Sequence, residues 1–120
     1  MKRASPLLNA KLAAQGGASV ADAFCYKIFR HESDILLAIA DSSLLGKTFE
    51  ESDRQISIAK DFYHEKTCDS SAAKKLIKSA TIVNAVGKDI ISLMIEEEFV
   101  DRKNILTVQG VPHAQIITIL

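Results

Sequence analysis

From Cys25 onward the chain alternates between short apolar runs and polar breaks. Cys25–Arg30 reads as a strand, and His31, Glu32, Ser33 and Asp34 as the polar turn that follows it. Ile35–Ala40 is apolar at successive positions, the pattern of a strand covered on both faces. Leu44, Leu45 and Gly46 make a short apolar turn, with Gly46 suited to positive φ. Lys47–Asp53 is charged and reads as exposed, and Gln55–Ala59 places Ile56 and Ile58 on one side of a third strand.

Helical spacing begins at Asp69. Asp69, Ser70 and Ser71 are good N-caps, and Ala72–Ile77 is strong helix sequence. Val83, Val86, Ile90, Leu93 or Met94, and Glu97 recur at spacings of three and four, which predicts a second helix with an apolar stripe toward a sheet. The break between the helices is expected near Thr81–Asn84. Phe99–Lys103 is a link, and Asn104–Val108 and His113–Ile119 are the last strands, with a tight turn marked by Gly110 and Pro112. The order β-β-β-α-α-β-β predicts an α+β fold: a mainly antiparallel sheet of about five strands with two helices packed on it. Residues 1–23 are rich in Ala, Ser and Gly and lack such a pattern, so they read as a weakly ordered extension or a loose helix, outside a single domain over 24–120.

Composition narrows the function classes. At 120 residues, 48% apolar and 25% charged, the chain matches an ordinary one-domain globule. Fifteen basic residues balance fifteen acidic ones, so no global charge points to nucleic acid or a membrane. No apolar run approaches the roughly 20 residues of a bilayer span. Cys25 and Cys68 stand far apart without a CxxC spacing and read as free thiols in a reducing cytoplasm. Together with His31, His64 and His113 they lack the paired spacing of a metal site, so neither metal nor cofactor is expected.

Four motifs occur in order: Leu44-Leu45-Gly46-Lys47-Thr48-Phe49-Glu50-Glu51, Phe62-Tyr63, Ala80 with Asn84-Ala85-Val86-Gly87, and Gly110-Val111-Pro112-His113-Ala114-Gln115. Over about residues 25–120 this series resembles the small archaeal family called domain of unknown function 424. The resemblance implies a cytoplasmic archaeal protein with a compact α+β fold and no established activity. It has no counterpart for the first 23 residues, and it places Glu98 where the family usually carries Gly at the end of the second helix. Gly would take the left-handed cap there without strain, so Glu98 implies another way of stopping the helix.

The chemistry-bearing residues cluster around these motifs. His113 and Gln115 are two apart, so a strand sets them on one face. They read either as a ligand-facing imidazole and amide or as a structural pair closing the turn. Asn84 and Gly87 interrupt an apolar stretch. They can start and pack the second helix, or bind an anion at its first turn. Gly46-Lys47-Thr48 lacks the upstream glycine of a phosphate loop, because Asp41 stands at that position. Lys74, Lys75 and Lys78, with Lys47, Lys60 and Lys66, form a local basic patch or a solvated face, and Tyr63 is a candidate stacking ring beside Phe62. Glu96, Glu97 and Glu98 crowd a helix end, as a solvated face or an acidic docking patch.

No nucleophile stands beside a base and no carboxylate pair forms a motif, so no catalytic residue is assigned. The leading reading is a non-enzymatic binding module. RNA or the translation machinery is its first partner class, and another protein its second. The alternatives are a small enzyme using His113 as acid or base, with Gln115 and Asn84 positioning substrate, and a structural subunit of a larger assembly.

Overall fold

The apolar run at 35–40 is the centre of the molecule. In a computed structural model describing residues 21–118, it forms β2 (Asp34–Asp41), in antiparallel register with β1 (Phe24–His31). The chain continues through a short 3-10 turn, β3 (Thr48–Glu51), β4 (Arg54–Ser57), α1 (Lys60–Tyr63), β5 (Lys66–Cys68) and α2 (Ser70–Ser79). β6 (Ile82–Val86), α3 (Lys88–Glu96), a second 3-10 turn, β7 (Leu106–Val108) and β8 (Val111–Ile117) complete it. Six strands form one sheet in the order β5-β1-β2-β6-β8-β7, and β3 and β4 form a separate two-stranded sheet. The α+β class holds, but the strand count and order differ from the sequence expectation. The sheet is mixed: β2 and β6 run parallel at its centre, and its other strand pairs are antiparallel, so it remains mainly antiparallel as expected.

The centre of this sheet is covered on both faces, which is why Ile35–Ala40 of β2 is apolar at every position. On one face Leu37, Ile39, Val83, Ala85 and Ala114 meet Ile77 of α2 and Ile90 and Met94 of α3. On the other, Cys25, Ala38, Ala40 and Val86 meet Ile56, Ile58 and Tyr63, from the small hairpin and α1. Cys25 and Cys68 are buried free thiols.

The largest correction concerns residues 82–86. They form β6 rather than the start of a helix. Val83 and Ala85 face the helices while Val86 faces the hairpin, so apolar residues on both sides of a buried strand imitate helical spacing. Long-range pairing with β2 and β8 settles the matter. Lys47–Asp53, read as charged and exposed, is mostly so, and it contains β3, whose Phe49 packs on the hairpin-side core. Phe62 and Tyr63 lie on α1. The last turn is Gln109–Gly110, a residue earlier than expected, and both residues have positive φ, +52° and +79°. That geometry matches the twist of a two-residue hairpin. Residues 1–20 of the expected extension lie outside the described residues, and β1 begins at Phe24.

α2 starts as expected, with the Asp69 carboxylate accepting from the Ala72 N–H at 2.8 Å. α3 starts differently. Its cap comes from across the sheet: Asp41, the last residue of β2, accepts from the N–H groups of Asp89 and Ile90, each at 2.9 Å. These amides point along the helix axis and have no partner within the helix. Asp41 is only 7% exposed. Burial pushes its carboxyl up to about 6, against the lowering effect of the two N–H donors. Gly87 lets the two elements meet. Its φ is +127°, and a Cβ there would sit 2.7 Å from Asp41 Oδ1 and closer still to the rest of the carboxylate.

The other end of α3 resolves the question raised by Glu98. The Glu98 N–H donates to the Ile95 carbonyl at 3.0 Å, and the Phe99 N–H to the Met94 carbonyl at 2.8 Å. This is the paired bonding of a Schellman stop, with Glu98 itself in the left-handed region at φ +61°. The helix therefore ends the way a glycine would end it, at a backbone cost of about 1 kcal/mol.

Two substitutions test these helix ends by chemical denaturation. Glu98→Gly should raise stability by about 1 kcal/mol, because it relieves that strain; no gain would mean that Glu98 is compensated elsewhere. Gly87→Ala should cost roughly 3 kcal/mol, combining backbone strain with loss of the Asp41 cap. A cost under about 0.5 kcal/mol, the level of an uneventful surface change, would refute the close approach.

Candidate functional site

Strand alternation sets up the polar surface. In β8, His113, Gln115 and Ile117 share the face that looks away from α2 and α3. The register brings Asn84 opposite Gln115, Val86 and Leu106 opposite His113, and Ile82 opposite Ile117. α1 reaches this face from the side and contributes Tyr63.

The organising atom is Asn84 Oδ1. The Tyr63 hydroxyl donates to it at 3.2 Å, and His113 Nε2 lies 2.8 Å from it. Burial pushes the Tyr63 phenol up to about 12, so it remains a donor. Burial also lowers His113 below its usual range, so the imidazole is neutral near pH 7. With Oδ1 as acceptor, the neutral ring carries its proton on Nε2 and leaves Nδ1 as an acceptor. Among the described residues the Asn84 Nδ2 group, His113 Nδ1 and the Gln115 amide have no hydrogen-bond partner. Phe62 holds Tyr63 in place, edge-on at 5.0 Å, and itself stacks on Phe29 at 5.2 Å.

The site residues read from sequence divide into three groups. His113 and Asn84 meet directly, and Gln115 lies beside Asn84 in register but is exposed and bonded to neither. Asn84 is in the middle of β6 and caps no helix. The first-turn amides of α3 proposed for an anion are engaged by Asp41, and Gly87 is buried against that carboxylate. Tyr63 is 5% exposed, which removes it as a stacking ring and makes it a support for Asn84. Lys74, Lys75 and Lys78 lie on α2, which covers the opposite face of the sheet. Lys74 pairs there with Glu97 at 3.3 Å, which gives part of the acidic run an intramolecular partner. Lys75 and Lys78 are exposed.

Sequence reading passed over Asp41 as a cap and the link from Tyr63 to Asn84. An acid directly after an apolar strand was a faint signal for the first. The second joins residues of separate elements and had none.

The face is only partly covered. The hairpin lies over its upper end, where Glu51 Oε1 accepts from the Gln109 N–H at 2.6 Å. Beyond it, Leu106 and Ile117 are 54% and 62% exposed. Single exposed apolar residues are ordinary, but these two flank a polar cluster on one face. Among the described residues no helix is long and apolar enough to cross a membrane.

A family model described as a protein of unknown function, DUF424, matches residues 29–119. The chain belongs to the DUF424 family. The match spans β1 to β8 and includes every residue of the Tyr63–Asn84–His113 cluster. The fold is also similar to a crystal structure titled an uncharacterized conserved protein from Methanopyrus kandleri. That similarity has a TM-score of 0.67 at 24% identity, covering 81% of this chain and 94% of the other. It shows a shared fold. No curated protein matches the chain.

The neutral state of His113 sets a pH dependence. Its folded pKa lies below its unfolded one, so the unfolded chain takes up the proton first as pH falls. The stability contributed by His113 should therefore be present above about pH 6.5 and decline below it. His113→Gln should remove this component, seen as the difference between wild-type and variant urea midpoints across pH. Parallel pH profiles would show that His113 does not titrate differently on folding.

Proposed function

We propose that this DUF424 protein is a cytoplasmic, non-enzymatic binding module whose recognition surface is the open sheet face around Asn84, His113 and Gln115. The observation that supports it is the convergence of Tyr63 and His113 on Asn84 Oδ1. Two bonds to one oxygen fix the amide plane. The Asn84 N–H donors and the His113 acceptor are then held in place before any partner arrives, which lowers the entropy lost on binding. The imidazole could serve as a base through Nδ1, but its one side-chain partner among the described residues is an amide, and neither thiol nor hydroxyl is bonded to it. The buried free thiols support a reducing compartment.

Exposed Leu106 and Ile117 beside the polar cluster favour a protein partner over RNA, because apolar side chains add little on a phosphate backbone. An RNA or translation-machinery partner would use Lys75 and Lys78 on the other side of the molecule.

The two surfaces separate in one experiment. The tagged protein is used to capture partners from an extract of its source organism, with and without nuclease. Asn84→Ala and Gln115→Lys should abolish capture, while Lys75→Glu with Lys78→Glu should leave it intact and nuclease should have no effect. Capture that depends on RNA and on the lysines, with indifference to Asn84 and Gln115, would overturn this reading in favour of RNA.

A further inference from the structure

β8 is longer than the strand beside it. β7 pairs only with Val111, Pro112 and His113. The segment before β7 turns away, with the Ile105 N–H bonded back to the Arg102 carbonyl at 3.2 Å. On its other side β8 is paired with β6 as far as Ile117.

The direction of each backbone group in β8 follows from the register. The Gly87 N–H donates to the Pro112 carbonyl at 2.9 Å and the Thr118 N–H to the Thr81 carbonyl at 2.8 Å, so even-numbered residues bond toward β6. In an antiparallel ladder the bonding side alternates, so odd-numbered residues bond toward β7. The two-residue turn Gln109–Gly110 agrees, because it closes on the pair Val108 and Val111. Val111 and His113 find partners in β7. The N–H and C=O groups of Gln115 and Ile117 face outward with no strand beside them among the described residues.

We infer that this open edge pairs with the same edge of a second copy, antiparallel and about a twofold axis, joining two sheets into one. Self-complementarity is what selects a second copy. If Gln115 of one copy lies opposite Ile117 of the other, each of these residues both donates to and accepts from its opposite. The symmetric contact repeats the pair, and all outward groups of both residues are then satisfied. A twofold interface requires such reciprocity. The exposure of Ile117 fits the same contact, because its side chain and that of Gln115 lie on one face and would meet across the axis. Unpaired edges of this kind are usually blunted by charge or proline, and Ala114–Ile117 contains neither. The pairing would place the two Asn84–His113 clusters on one continuous face. It stands independently of what those clusters bind.

Sedimentation equilibrium over a wide protein concentration range tests the inference, with unfolding curves as a check on each variant. The wild type should be a reversible dimer. Ile117→Lys should weaken it about tenfold or more, because a charged, hydrated side chain replaces the apolar contact with Gln115 across the axis. Gln55→Lys, on the exposed side of β4, should leave the dimer unchanged. Hydrogen exchange on the wild type gives a reading that needs no variant: the Gln115 and Ile117 amides should slow as the concentration rises. A monomer at every concentration would overturn the inference. So would a dimer indifferent to Ile117→Lys, or amides protected equally at all concentrations. Loss of partner capture in the Asn84 variant with the dimer intact would separate this interface from the binding face.

Discussion

The Asp41 carboxylate at the head of α3 is the constraint on which the rest of the arrangement depends. Two N–H groups of the first helical turn point at it, and Gly87 gives up its side chain so that it can fit. The contact joins the C-terminal ends of the parallel central strands, β2 and β6, to the helix that covers them. It thereby sets where β6 stops and how α3 lies on the sheet. Burial makes the carboxyl harder to ionise, while the helix amides make its anion easier to keep.

The candidate site follows from the same placement of β6. With β6 held between β2 and β8, Asn84 comes to the face opposite the helices, next to the strand that carries His113. Tyr63 then reaches Asn84 from α1, with its ring fixed by Phe62 and Phe29. Tyr63, Asn84 and His113 belong to three different elements. The cluster therefore exists only in the folded chain, and it reports on the relative position of three elements at once. The lysines of α2 have no part in it, because α2 packs on the far side of the sheet.

The face is asymmetric. Its upper end is closed by the small hairpin, and its lower end runs out to the free edge of β8. A polar centre of His113, Asn84 and Gln115 lies between apolar Leu106 on one side and Ile117 and Ile82 on the other. Such a surface can bind through side chains on its face and through backbone groups at its rim.

Much of the fold was legible in the sequence where local chemistry was decisive. The alternation after Cys25, the apolar run of β2, the Asp69 cap of α2 and the apolar stripe Ile90–Met94 all appear in the structure. So do the positive φ of Gly46 and the shared face of His113 and Gln115. Family membership was legible too, because its motifs lie in consecutive turns and strand ends. Tertiary structure decided the rest. Residues 82–86 carry apolar side chains on both sides, so their period is ambiguous, and only pairing with β2 and β8 makes them a strand. Glu98 stops α3 in a conformation that its residue type disfavours, because the carbonyls of Met94 and Ile95 are satisfied only that way. Asn84 looked like a helix cap because an asparagine before a helix usually is one. It became the centre of a polar cluster because pairing with β2 and β8 makes its segment a strand and sets its side chain on the face opposite the helices, beside His113.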